Sequence, residues 1–176
     1  MERRVVIKQV LIMAGGLLLL PSCLRQEERS TIQLNSISIT LTEEQLLAEI
    51  AETLIPKTDT QGAKELKLHL FVLKMLDDCY DEADQKQFIK GLNELAGLAH
   101  SHYSQSFINL PKMQKHILLA GIEQQSQVSS DLAVFYRIMK ERTINGYLNS
   151  KYVMTHLVIW ELVPGRYNGY FPVKTA

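Results

Sequence analysis

Thr42-Glu43-Glu44-Gln45-Leu46-Leu47-Ala48-Glu49-Ile50-Ala51-Glu52-Thr53-Leu54-Ile55-Pro56 is the stretch on which the fold turns. Thr42 followed three residues later by Gln45 has the pattern of a capping box, in which the threonine oxygen accepts from the third helical amide while the glutamine reaches back. Leu46, Leu47, Ile50, Ala51, Leu54 and Ile55 then recur at helical spacing on one face. Pro56 stops the helix, because the residue before a proline is pushed out of helical geometry. An apolar stripe of this kind needs other helices to cover it.

The chain downstream supplies them. After a polar loop over 57–62, the run Leu66, Leu68, Leu70, Phe71, Val72, Leu73, Met75 and Leu76 predicts a helix over 66–76 with no wet face, placed in the middle of a bundle. Phe88, Ile89, Leu92, Leu95, Ala96 and Ala99 give an amphipathic helix over 84–99. Pro111 sits near the start of the next, where its missing amide costs nothing, and Met113, Ile117, Leu118 and Ile122 form that helix's apolar face. Ser129-Ser130-Asp131 offers caps for a longer helix to about residue 148, with Leu132, Phe135, Tyr136, Met139 and Tyr147 on its apolar face. A last helix spans roughly 151–161, before an irregular tail over 163–176. The alternation Ile37, Ile39, Leu41 could form one strand, but it has no evident partner. The expectation is an all-α single domain of about six helices, an irregular or orthogonal bundle over 42–176.

Upstream of this domain the sequence changes character. Arg3, Arg4 and Lys8 precede an apolar run over 10–20 and then Pro21-Ser22-Cys23, the three-part layout of an export signal. Eleven apolar residues fall short of the roughly 20 that a spanning helix needs. Arg3-Arg4 is similar to a twin-arginine signal, and Leu20-Pro21-Ser22-Cys23 is similar to a lipoprotein cleavage box, with Pro21 unusual at its place. An ordinary secretory signal and an uncleaved anchor are the alternatives. Residues 1–23 are therefore expected as an export signal with Cys23 lipidated, and 24–41 as a polar tether. Lipidation would leave Cys79 as the one thiol of the mature chain and preclude an internal disulfide.

The bulk numbers are modest. The 176 residues are 46% hydrophobic and 22% charged, with 19 basic and 19 acidic side chains. Removing the leader takes Arg3, Arg4, Lys8 and Glu2 and leaves a slightly acidic chain, so no basic stripe remains to draw nucleic acid. No glycine-rich strand-to-helix loop is visible to cradle a nucleotide, and there is no Cys-x-x-Cys-His haem site. His100 and His102 lie two residues apart and point to different faces of a helix. His69 reads as a histidine at the bundle edge or bonded to a backbone carbonyl. Asp77, Asp78, Asp81, Glu82 and Asp84 lack the alternating ligands of a calcium loop and fit helix capping. Cys79 fits a buried structural cysteine, with no base fixed beside it. No catalytic constellation assembles.

Four segments together resemble one family, the small subunit (subunit three) of gluconate 2-dehydrogenase. They are Ile55-Pro56-Lys57-Thr58-Asp59-Thr60-Gln61-Gly62-Ala63, Asp78-Cys79-Tyr80, the stretch from Phe135 to Tyr147 with Lys140, Glu141, Thr143 and Gly146, and Val163-Pro164-Gly165-Arg166-Tyr167-Asn168-Gly169. Gln61 stands where the family usually has proline. The resemblance implies a chain without a cofactor of its own. Its partner would be a large FAD-dependent dehydrogenase subunit of the glucose–methanol–choline type acting on a sugar or sugar acid, often joined by a c-type cytochrome. The small subunit would aid export, maturation and anchoring of that flavoprotein, placing it in the periplasm on a lipid anchor. The expected partner interface is Thr58, Asp59, Thr60, Gly62, Cys79 and Tyr80, together with Pro164, Gly165, Arg166, Tyr167 and Gly169 of the turn-rich tail. Arg and Tyr are residue types favoured at interfaces; equally, the tail's aromatics could fold back on this domain's own core. The competing readings are a stand-alone lipoprotein with a closed apolar pocket for a small ligand and an independent oxidoreductase.

Overall fold

The computed structural model describes residues 30–124, 128–158, 165 and 168–170. Among the described residues there are five α-helices: α1 (Leu41–Leu54), α2 (Leu68–Cys79), α3 (Glu82–Tyr103), α4 (Lys112–Gln124) and α5 (Ser130–Leu148). A 3₁₀ turn (Phe107–Asn109) precedes α4 and a π-helical turn (Val153–Leu157) follows α5. There is no strand among the described residues, and the all-α expectation holds. None of these helices is long and apolar enough to cross a membrane.

The largest helix–helix interface joins α3 to α5. Phe88 and Phe135 are fully buried there, their ring centroids 4.9 Å apart and tilted by 58°. Each ring's burial contributes about 1.5–3 kcal/mol, and the tilted pairing suits their quadrupoles. Gly91 lets the two backbones close: a Cβ at that position would fall 2.4 Å from the Asp131 carbonyl oxygen and 2.5 Å from Phe135 Cβ. Around this crossing, Leu47 and Ile50 from α1, Val72, Leu73 and Leu76 from α2, and Ile138 and Met139 from α5 complete one core.

Several boundaries differ from the sequence expectation. The capping box of α1 is Thr40 with Glu43, two residues earlier than Thr42 with Gln45. The Glu43 amide donates to Thr40 Oγ1 at 3.2 Å and the Thr40 amide to Glu43 Oε2 at 2.9 Å. Both pairs fit the pattern, but a charged carboxylate near the helix start also meets the positive end of the helix dipole. Helix α2 runs further than expected, to Cys79, and is not wet-face-free: Phe71 is 38% exposed and Lys74 faces solvent. The final helix does not reach 161 in its described part, because Val158 is already extended.

Helix α4 keeps part of the expected apolar face, with Ile122 buried and Leu118 half-buried, and departs from the rest. Met113 and Ile117, read as core positions, are 70% and 56% exposed, while Lys115, Leu119 and Ile122 are buried. Lys115 can face inward because its ammonium lies 2.8 Å from Glu49 Oε2 on α1 and 5.7 Å from the Phe107 ring centroid. Sequence periodicity does not see a pairing 66 residues distant.

Of the stretch expected as a tether, 24–29 lie outside the described residues and 30–40 run along the bundle as a strap. Ile39 is buried, and Ile32, Leu34 and Ile37 pack half-buried against the core. The amides of Asn35, Ser36 and Ile37 all donate to the Asp77 carboxylate, at 2.8, 2.7 and 3.2 Å.

Candidate functional site

The turn between α1 and α2 is closed by one carboxylate. Glu52 accepts from the amides of Lys57 and Lys64, both at 2.9 Å, and the Ala63 amide donates to the Ile55 carbonyl at 2.9 Å. Gly62 sits inside this closure. A Cβ on it would lie 2.6 Å from the Lys57 nitrogen and 2.7 Å from Glu52 Oε2, so any larger residue displaces backbone. Gly62 is buried and shapes the loop, whereas Thr58 and Asp59 are exposed on it and Thr60 is half-buried.

At the far end of α2, Gln85 fixes the corner into α3. Its side-chain amide donates to the carbonyls of Leu76 (3.0 Å) and Tyr80 (3.1 Å), and Asp81 caps α3 by accepting from the Asp84 amide at 2.8 Å. Asp81 thus takes the capping role expected of the acidic cluster, while Asp77 is committed to the strap. Cys79, expected to be buried, is exposed. The corner is tight and polar, so the thiol lies outside it. Tyr80 is half-buried and accepts from Arg142 Nε on α5 at 2.7 Å.

These two places are joined by the C-terminal half of α5. Tyr147 Oη lies 3.3 Å from Thr60 Oγ1, tying α5 to the α1–α2 loop. One residue earlier, Gly146 receives the Phe71 ring of α2, whose nearest carbon would be 2.7 Å from an added Cβ. One turn before that, Arg142 reaches Tyr80. Along α5 from 147 to 142 the contacts run along α2 from its beginning to its end, so the two helices are antiparallel here. Three of the four segments singled out in the sequence therefore meet on one seam. Ile144, one turn before Tyr147 on α5, is 39% exposed, and Leu148, one turn beyond Ile144, is 53% exposed; both lie on the outer side of the helix, away from Gly146.

The remaining expected residues are placed unevenly. Arg3, Arg4, Lys8 and Cys23 of the leader, and Pro164, Arg166 and Tyr167 of the tail, lie outside the described residues. Gly165 and Gly169 are exposed, and Tyr170 beside them is 96% exposed. His100 and His102 are exposed in the last turn of α3. The sequence reading missed Phe71, Arg142 and Tyr147 as seam contacts; the signal that could have found them is the glycine at 146, which marks a close approach within a helix.

Among the described residues, no group of three or more His, Cys, Asp or Glu side chains could hold a metal ion. Between α1 and α4, a recess of about 110 Å³ is lined by Glu49, Glu52, Lys112, Lys115 and His116 among others. Burial would raise the Glu49 carboxyl, but Lys115 and Lys64 outweigh it and hold the group below its ordinary value. Thr53 and Pro56 complete its lining, so charged groups of both signs share the recess with apolar surface. The described residues contain no strand-to-glycine-loop-to-helix unit that would cradle a flavin.

No curated protein and no solved structure matches the chain. The family described as gluconate 2-dehydrogenase subunit 3 matches residues 42–165, which take in α1 from its second residue, α2 to α5, the loop over 55–63 and Asp78-Cys79-Tyr80. The match covers most of the chain, and the protein belongs to the gluconate 2-dehydrogenase subunit 3 family.

Proposed function

We propose that this chain is the non-catalytic small subunit of a membrane-associated, FAD-dependent dehydrogenase of the glucose–methanol–choline type, acting on a sugar or sugar acid. Its seam of α2, α5 and the 58–60 loop docks the flavoprotein subunit. The observation that carries this reading is the convergence on α5: three segments distant in sequence meet through Thr60–Tyr147, Phe71–Gly146 and Tyr80–Arg142. A partner seated on the rim of this seam would cover the exposed part of Phe71, and one reaching round α5 from Tyr147 would cover Ile144 and Leu148 as well. FAD belongs to the partner in this reading. The small subunit supplies shape, a docking surface and, through Arg3, Arg4, Lys8 and Cys23, an export address and a lipid anchor at the periplasmic face. A c-type cytochrome would take the electrons onward.

A pull-down tests the assignment. The tagged chain, recovered from detergent-solubilised membranes, is expected to bring a large flavin-absorbing polypeptide with it and to be colourless by itself. Recovery alone, or with its own bound prosthetic group and turnover, contradicts the reading. Mass spectrometry of the mature N-terminus is expected to find Cys23 first and lipidated.

A further inference from the structure

The strap over 30–39 is held by two carboxylates that differ in their surroundings. Asp77 takes the amides of Asn35, Ser36 and Ile37 with Lys74 3.8 Å away. Glu44 takes the Thr31 amide at 2.6 Å on one oxygen and the Thr31 hydroxyl at 2.6 Å on the other. Behind Glu44 stands His69, the second residue of α2, 8% exposed, with Nε2 4.0 Å from Glu44 Oε1. His69 Nδ1 is buried and has no hydrogen-bond partner.

A neutral ring tolerates that environment better than a charged one. Protonated imidazole carries N–H on both nitrogens, and the proton on Nδ1 would then be a charged donor with nothing to receive it. The start of α2 adds to the penalty: Lys67 provides no side-chain cap there, and the positive end of a helix repels a cation. The charged groups around the ring are Glu44 from α1 and Lys64 and Lys67 from the turn into α2; the strap contributes the neutral Thr31.

We propose that His69 is the trigger of a proton-sensitive latch. Protonating its ring admits water behind Glu44, draws that carboxylate from Thr31 and frees the 30–34 end of the strap, while 35–37 stay on Asp77. Burial holds the imidazole below its ordinary value of 6.5, against the attraction of Glu44 and with the help of Lys64 and Lys67. The closed latch prefers the neutral ring. Closure is therefore complete above pH 6.5 and weakens as pH falls below it. Freeing five residues lengthens the connection between the domain and the N-terminal end of the chain by up to about 17 Å, at about 3.3–3.6 Å per residue. Together with a lipid at Cys23, this would set how far the docking seam stands from the membrane; the latch itself does not depend on that anchor or on the partner.

Amide hydrogen exchange on the full chain, read by NMR at pH 7.5 and 5.5 and corrected for intrinsic rates, tests the latch. Phe88 and Ile138 amides report on the folded bundle. The Thr31 amide is expected to lose about tenfold of its protection at pH 5.5, Ser36 and Ile37 to keep theirs, and His69→Gln to abolish the loss. Unchanged protection at Thr31, an equal loss in His69→Gln, or an equal loss at Ser36 and Ile37 overturns the proposal. Should the variant not fold, the wild-type chain decides alone: the midpoint of the Thr31 change must coincide with the titration of the His69 ring, and separate midpoints overturn it.

Discussion

Helix α5 makes two close approaches through glycine, and they are built differently. At its N-terminal end, Gly91 of α3 faces the Asp131 carbonyl and Phe135 Cβ, so the limit on approach is backbone and the first atom of a side chain. At its C-terminal end, Gly146 faces the Phe71 ring, which is 38% exposed, so the limit on approach there is the far part of a side chain with solvent beside it. The first approach is dry, with Phe88 and Phe135 fully buried. The second is edged by Tyr147–Thr60 and Arg142–Tyr80 hydrogen bonds that reach the surface. One end of the helix fixes the core; the other offers an adjustable face to something outside it.

Substitutions separate the two ends. Phe135→Ala removes a buried ring and leaves a cavity, and a loss of about 3–5 kcal/mol in unfolding free energy is expected from urea denaturation. Gly91→Ala forces α3 and α5 apart at a backbone contact and is expected to cost about 2–3 kcal/mol by the same measurement. Asp77→Asn, next in size, weakens three strap bonds and is expected to cost about 1–2 kcal/mol. It also changes the pH dependence. Burial would raise the Asp77 carboxyl, but the amides of Asn35, Ser36 and Ile37 hold it below 3.8, so its stabilisation is present above that pH and lost as the pH falls below it. The urea midpoint should show that acid limb in the wild type and not in Asp77→Asn. The smallest effect is expected from Gly146→Ala, under about 1 kcal/mol, because Phe71 can rotate outward. A Gly146→Ala cost as large as that of Gly91→Ala would erase the distinction between the two ends.

What the sequence made legible follows the same division. The apolar spacing of Leu47, Ile50, Phe88, Leu92, Leu95, Leu132, Phe135 and Met139 located three helices and their inward faces, because burial there is decided by local periodicity. Pro56 marked the end of α1 within two residues. Positions decided by distant partners were not legible. Lys115 faces inward on α4 through Glu49, Asp77 collects amides some 40 residues upstream, and Glu44 holds Thr31 from a helix that reads as amphipathic by itself. Cys79 lies outside the corner for a similar reason: Gln85 fills the inside of the α2–α3 junction with its own hydrogen bonds. The seam was half visible. Its residues stood out one by one, but only the fold brings Thr60, Tyr80 and α5 together.

Two exposed aliphatic pairs allow the docking assignment to be tested against an internal control. Ile144, one turn from Tyr147, and Leu148, one turn beyond Ile144, lie on the outer side of α5, and Met113 and Ile117 lie on α4, which packs on α1 and α5. Each pair is replaced by aspartates in the tagged full chain, co-expressed with the flavoprotein, and the recovered complex is measured by flavin absorbance per small subunit. The α5 variant is expected to remain folded and lose the flavoprotein, while the α4 variant keeps it. Retention by the α5 variant, with loss by the α4 variant, would contradict the seam as the docking face.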